Sequence, residues 1–184
     1  MSRFFFLALS LLPCAASATL QPLVIDQTQS RVEIAVKATV GSFVGKLANY
    51  VTVIAVDSEK RSIEQVAFEF HINDVQTGNA TRDKDMLDWE QAAKFPDGRF
   101  TLTALDMAAG GRCQARGMLT LHGRSREIVF PATISKDHSL YSIDGDALLD
   151  TRDFGLPILH SYWLLTVDPV VHVRFHLKGH LSDH

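Results

Sequence analysis

Residues 170–181 read Val170-Val171-His172-Val173-Arg174-Phe175-His176-Leu177-Lys178-Gly179-His180-Leu181. Val171, Val173, Phe175, Leu177 and Leu181 share one parity, and His172, Arg174, His176, Lys178 and His180 the other. Successive strand side chains point to opposite faces, so this segment is a β-strand with one apolar and one polar face. The same period recurs upstream. Val32, Ile34, Val36 and Ala38 alternate with Arg31, Glu33, Lys37 and Thr39, and Val66, Phe68, Phe70 and Ile72 with Ala67, Glu69 and His71. Further strands are expected over 51–56, 100–105, 112–122, 126–135 and 140–150, with Gly110-Gly111 as a turn. That makes about eight strands, without the alternating helices a parallel sheet requires. The fold class is all-β, one antiparallel domain.

Composition agrees. The 184 residues are 46% hydrophobic and 21% charged, which describes a globular chain and excludes a disordered one. A net charge of −3 leaves no basic footprint for nucleic acid. The one strongly apolar run, residues 4–12, is far short of the roughly 20 residues of a membrane span. Arg3 precedes that run, Pro13 breaks it, and Ala16-Ser17-Ala18 has the small-x-small form of a signal peptidase site. Residues 1–18 are therefore expected to be an export signal cleaved after Ala18, with the barrel domain in 19–184. Cys14 invites a lipoprotein reading, but Pro13 directly before it fits that cleavage rule poorly. Cleavage leaves Cys113 as the only cysteine, on an inward parity, where a buried structural thiol is expected rather than a nucleophile. Asn79-Ala80-Thr81 fits a glycosylation sequon, which has meaning only in a eukaryotic host.

Eight one-faced strands form a sandwich or a closed barrel, and an eight-stranded barrel is filled by side chains or holds one small ligand. The inward parities read Cys113, Ala115, Gly117, Leu119, Leu121 and Tyr141, Ile143, Gly145, Ala147, Leu149. Small residues at the strand centres leave space, unless facing Phe68, Phe70 and Phe130 fill it. Both readings stand at this point. One short helix is expected, capped by Asn79 or Thr81, with Asp83, Asp85 and Asp88 near its start and Met86, Leu87 and Trp89 on its apolar side. It should end before Pro96.

Four motifs carry a resemblance. The segment Asp74-Val75-Gln76-Thr77-Gly78-Asn79-Ala80-Thr81-Arg82-Asp83-Lys84-Asp85-Met86 resembles the D-V-x-T-x-N-x-x-R-D-x-H-L pattern of the YceI-like family. Lys94-Phe95-Pro96 is similar to its K-[YF]-P turn, Gly117-Met118-Leu119-Thr120-Leu121-His122-Gly123 to its G-x-L-T hairpin, and Arg152-Asp153-Phe154-Gly155 to its R-D-F-G element. Asp85 and Met86 depart from the family's His and Leu, and residues 39–47 replace an aromatic-rich element, as in a divergent member. The resemblance implies an eight-stranded antiparallel lipocalin-like barrel that binds a polyisoprenoid or similar long-chain lipid. It also implies the periplasm, in agreement with the export signal.

On that reading the cavity is expected to be lined by Val36, Phe68, Phe70, Met86, Leu87, Gly117, Phe130, Ile143 and Gly145. A larger residue at Gly117 or Gly145 is expected to displace ligand without unfolding the barrel. Asn79 and Arg82 are expected at the headgroup, where Arg82 would face an anionic head or else pair with Asp83. No cofactor is expected beyond a bound polyisoprenoid or quinone-like lipid. The partner is a hydrophobic small molecule, and a homodimer is compatible with the sequence, although no residue argues for one.

Other chemistries find little support. The sequence has no G-x-S-x-G elbow, phosphate-binding glycine loop or H-E-x-x-H. In the acidic run 83–90, Leu87 takes a liganding position and Asp88 the glycine position of a calcium loop. His172, His176, His180 and His184 are four apart, about 13 Å on a strand, too far for one metal ion to bridge neighbours. They read as a solvated outer face. Three function classes follow: a non-enzymatic lipid binder that stores or transfers lipid in the periplasm, an accessory protein with a filled barrel docked on a membrane redox complex, and a lipid-acting enzyme that no constellation supports.

Overall fold

The computed structural model describes residues 19–39, 41–161 and 165–182. The expected signal peptide, residues 1–18, and His184 lie outside them. The elements are β1 (Leu20–Ile25), β2 (Arg31–Lys37), β3 (Ser42–Leu47), β4 (Val51–Asp57), β5 (Ser62–His71), β6 (Val75–Gln76), α1 (Ala80–Trp89), β7 (Asp97–Met107), β8 (Arg112–Leu121), β9 (Arg124–Asp137), β10 (Leu140–Asp150), β11 (His160–Ser161), β12 (Leu165–Thr166) and β13 (Val170–Leu181). The ring runs β1-β4-β5-β7-β8-β9-β10-β13, and β13 pairs back onto β1, with Leu23 opposite Leu181. This is a closed, antiparallel, eight-stranded barrel with one α-helix. Closure leaves the first and last strands without a free edge.

Strands β2, β3 and β6 continue the wall. Both β1 and β2 run against β13, β1 beside its C-terminal half and β2 beside its N-terminal half, where Ala35 faces His172. They are two halves of one position in the wall, interrupted where the Asp26 carboxylate accepts from the Thr28 amide and the side chains of Thr28 and Gln29. β3 then pairs with β2 and β6. The sequence pattern does not announce β1 or β3: Pro22 interrupts the first, and Gly45 dilutes the second. Tertiary pairing forms them, with Pro22 opposite Ala55 and Gly45 opposite Ile34. The β8–β9 connection is a two-residue turn in which His122 (φ 49°) and Gly123 (φ 68°) are both left-handed, the turn geometry that matches strand twist.

Antiparallel order places the ends of β4, β8 and β10 unambiguously. At one end of the barrel, Leu23, Ile54, Val56, Ile63, Tyr141, Ile143 and Leu177 form a buried cluster that stoppers it. The opposite end receives α1, residues 156–159 and residues 167–169. There the wall is also incomplete. β9 and β10 are paired from Asp137–Leu140 only as far as Ala132–Gly145, while residues 124–131 pair with β8 alone and 146–150 with β13 alone. Pro131, which lacks an N–H, stands where the ladder stops.

Candidate functional site

The mouth is built on α1. The Asn79 side chain accepts from the Arg82 amide at 3.0 Å, capping the helix, and Asp83 Oδ1 accepts from both the amide and the hydroxyl of Thr77, at 2.9 and 2.6 Å. These contacts fix the helix against the end of β6. Trp89 Nε1 donates to Pro157 O at 2.9 Å and ties its other end to residues 156–159. Arg82, Asp85, Met86 and Trp89 recur at i, i+3, i+4 and i+7, so one helical face looks into the barrel.

Beneath α1 lies a cavity of about 1120 Å³. Its floor is Ile54, Ile63, Ile143 and Leu177 from the stoppered end, and its walls carry Phe68, Phe70, Phe100, Phe130 and Phe175. The rings brace one another: Phe130 stands edge-on to Phe175 at 5.8 Å between centroids and tilts against Phe100 at 5.6 Å. Val36, Phe43, Leu159 and Val167 line the rim with α1. The interior is not filled, as the accessory-protein reading requires it to be.

Val36, Phe68, Phe70, Met86, Phe130 and Ile143 stand on the lining, and Asn79 and Arg82 at the mouth. Gly117, Gly145 and Leu87 do not line it. A Cβ on Gly145 would lie 2.2 Å from the Phe175 ring, and one on Gly117 would meet the Phe100 ring at 2.4 Å and lie 2.5 Å from Thr101 O. These glycines are niches for aromatic rings, so a larger residue there strains the wall rather than plugging an open space. Leu87 follows Met86 by about 100° around the helix and turns away from the cavity face.

The headgroup candidates are engaged locally. Asn79 serves as the helix cap, and the Arg82 guanidinium sits 4.2 Å above the Phe43 ring. Asp83 is taken by Thr77 rather than by Arg82. Asp85 and Met86, the departures from the family pattern, both face the mouth. Several lining residues lie outside the expected set, Phe100 and Phe175 among them, and one is a buried carboxyl. Glu90, at the C-terminal cap of α1, is 7% exposed, and its Oε2 has no hydrogen-bond partner among the described residues. Burial pushes its carboxyl up to about 7. The helical repeat 82, 86, 90 would have placed it on the cavity face.

Elsewhere the polar residues serve the wall. Cys113 is buried with its thiol directed at Ala132 O, 3.4 Å away, and burial raises its pKa. Outside the barrel, His176 pairs with Asp144 at 2.7 Å, and His172 and Arg174 approach Asp146 at 3.7 and 3.6 Å. His172 and His176 are thus half-buried members of a cross-strand charge ladder, while His180 is exposed. Among the described residues, no group of three or more His, Cys, Asp or Glu is arranged to hold a metal ion. No helix there is long and apolar enough to cross a membrane.

Comparison with known proteins places this architecture. UPF0312 proteins of Pseudomonas savastanoi pv. phaseolicola and Pseudomonas syringae pv. tomato are each 28% identical over 108 residues, 54% of this chain and 56% of theirs. The chain thus spans little more than half the length of these curated relatives. Burkholderia cenocepacia BcnA superposes with a TM-score of 0.74 at 19% identity, covering 84% of this chain and 99% of that one. A polyisoprenoid binding domain from Saccharophagus degradans, implicated in plant cell wall breakdown, gives 0.66 at 15% identity, covering 89% and 100%. The Campylobacter jejuni YCEI protein gives 0.63 at 22%, covering 76% and 85%. At these identities the likeness is one of fold. A family model described as the YceI-like domain matches residues 23–179, which run from β1 through the barrel into β13. The chain belongs to the YceI-like domain family.

Proposed function

We propose that this barrel binds a polyisoprenoid or similar long-chain lipid, without catalysis, and stores or transfers it in the periplasm. The observation that carries this reading is the cavity: about 1120 Å³, walled by aliphatic and aromatic side chains, and opening beside α1. Pockets for drug-sized ligands hold roughly 300–1,000 Å³, so this one suits a longer molecule. A prenyl or acyl chain offers little but apolar surface, and each 100 Å² removed from water contributes about 2.5 kcal/mol at ~25 cal/mol per Å². The five phenylalanines and Met86 adapt to a bent, branched chain. A lipid entering tail first leaves its head at the mouth, by residues 79–90. The polyisoprenoid binding of the Saccharophagus domain, the family membership and the export signal expected from residues 1–18 support the same reading.

Displacement of a fluorescent long-chain probe by geranylgeraniol tests it. We expect saturable binding of one molecule per chain, weakened at least tenfold by Leu149→Trp, which fills part of the cavity. Absence of saturable binding to folded protein, or undiminished binding by a folded Leu149→Trp variant, would overturn it.

A further inference from the structure

We propose that Glu90 makes the mouth of the cavity select a lipid with an uncharged, hydrogen-bonding head over one with the same chain and an anionic head. This rests on the lipid-binding reading and adds the class of head.

Glu90 lies at the lining, more than nine-tenths buried, with Oε2 unpartnered among the described residues. It also sits at the C-terminal end of α1, where the helix dipole presents negative charge and offers a carboxylate no relief. The other charged groups lining the mouth are Asp85 and Asp88 of α1, Asp168 before β13, and Arg82. Asp88 is paired with Lys84 at 2.5 Å, and Asp168 lies within electrostatic reach of Arg152. The Arg82 guanidinium rests on the Phe43 ring. An anionic head drawn into this mouth meets Glu90 with no buried cation among the described residues to separate them, and two desolvated like charges repel strongly. A hydroxyl instead donates to the carboxylate, and a carbonyl accepts from the protonated acid. Either satisfies a group whose isolation is otherwise costly. The chemistry that fits is therefore a long-chain alcohol or carbonyl compound.

Retinol and retinoic acid share one C20 isoprenoid chain and differ at the head. At pH 8, wild-type protein is expected to bind retinol about tenfold more tightly, the scale of one hydrogen bond to a charged group. Glu90→Gln should bring the two within about threefold, chiefly by gaining retinoic acid. Glu90→Met should also lose the preference, with weaker retinol binding because the hydrogen bond is gone. Equal binding of both by wild type, or a preference unchanged in a folded variant, would overturn the role of Glu90 while leaving lipid binding intact. Binding of neither, with folded wild-type protein, would overturn the lipid-binding reading and this inference with it.

Discussion

Glu90 holds its proton more tightly in the folded chain than in the unfolded one, because burial lifts its pKa from 4.5 to about 7. The stability linked to that proton is complete below about 4.5 and is lost as pH rises through about 7. The whole loss is about 3 kcal/mol at ~1.4 kcal/mol per tenfold change. Glu90→Gln is therefore expected to be more stable than wild type at pH 8, by up to about 3 kcal/mol, with the difference vanishing near pH 4.5. Paired thermal melts across that range check this, at roughly 2–4 °C per kcal/mol for a chain of this size; equal Tm at pH 8 would show a solvated carboxyl. The opposite sign is expected at the niche glycines. Gly145→Ala and Gly117→Ala should each cost about 1–3 kcal/mol by overpacking, with Gly117 the worse because Thr101 O is backbone and cannot swing aside. Tm values read this directly. The inward parity of both glycines was legible in the sequence, but their occupants were not. Phe175 is the register partner of Gly145, and Phe100 reaches Gly117 diagonally from β7, and strand register is a tertiary property that one-strand patterns do not contain.

At the scale of elements, α1 owes little to its own burial, since no residue within it is fully buried. Its cap and its tie to Thr77 therefore matter more than usual. Asn79→Ala should cost about 1 kcal/mol. Asp83→Ala should cost about 1–3 kcal/mol, because it leaves two Thr77 donors without their acceptor. Urea melts with unchanged m-values would check both. The missing β9–β10 ladder makes a second prediction: amides of residues 124–131 that face β10 should exchange with solvent faster than those paired with β8. Uniform protection along β9 by hydrogen-exchange NMR would contradict an open seam. The helix, its cap and its end before Pro96 were legible from Asn79, the acidic first turn and the loop residues. Apolar character alone puts Leu87 beside Met86, but the 100° step per residue turns Leu87 away and brings the polar Glu90 onto the cavity face.

The whole molecule is a wall closed by its own two ends, stoppered at one side and covered at the other by a short helix. Alternation along 170–181 and its counterparts, together with four motifs in family order, is enough to reach a closed eight-stranded barrel. Cavity volume is a different kind of quantity. It depends on which aromatic side chains lean into niches and which span the interior, and here Phe100 and Phe175 leave the centre open while Ile54, Ile63 and Leu177 close the floor. The proposed lipid binding rests on that open apolar volume, and the ligand carried by the native protein is its most direct test. Protein expressed from the full chain in a bacterial host and purified without detergent should yield, on solvent extraction and mass spectrometry, one prenyl or acyl lipid per chain, with an uncharged head. Repeated preparations of folded protein that release no lipid, and that take up none when offered, would contradict lipid binding as the work of this barrel.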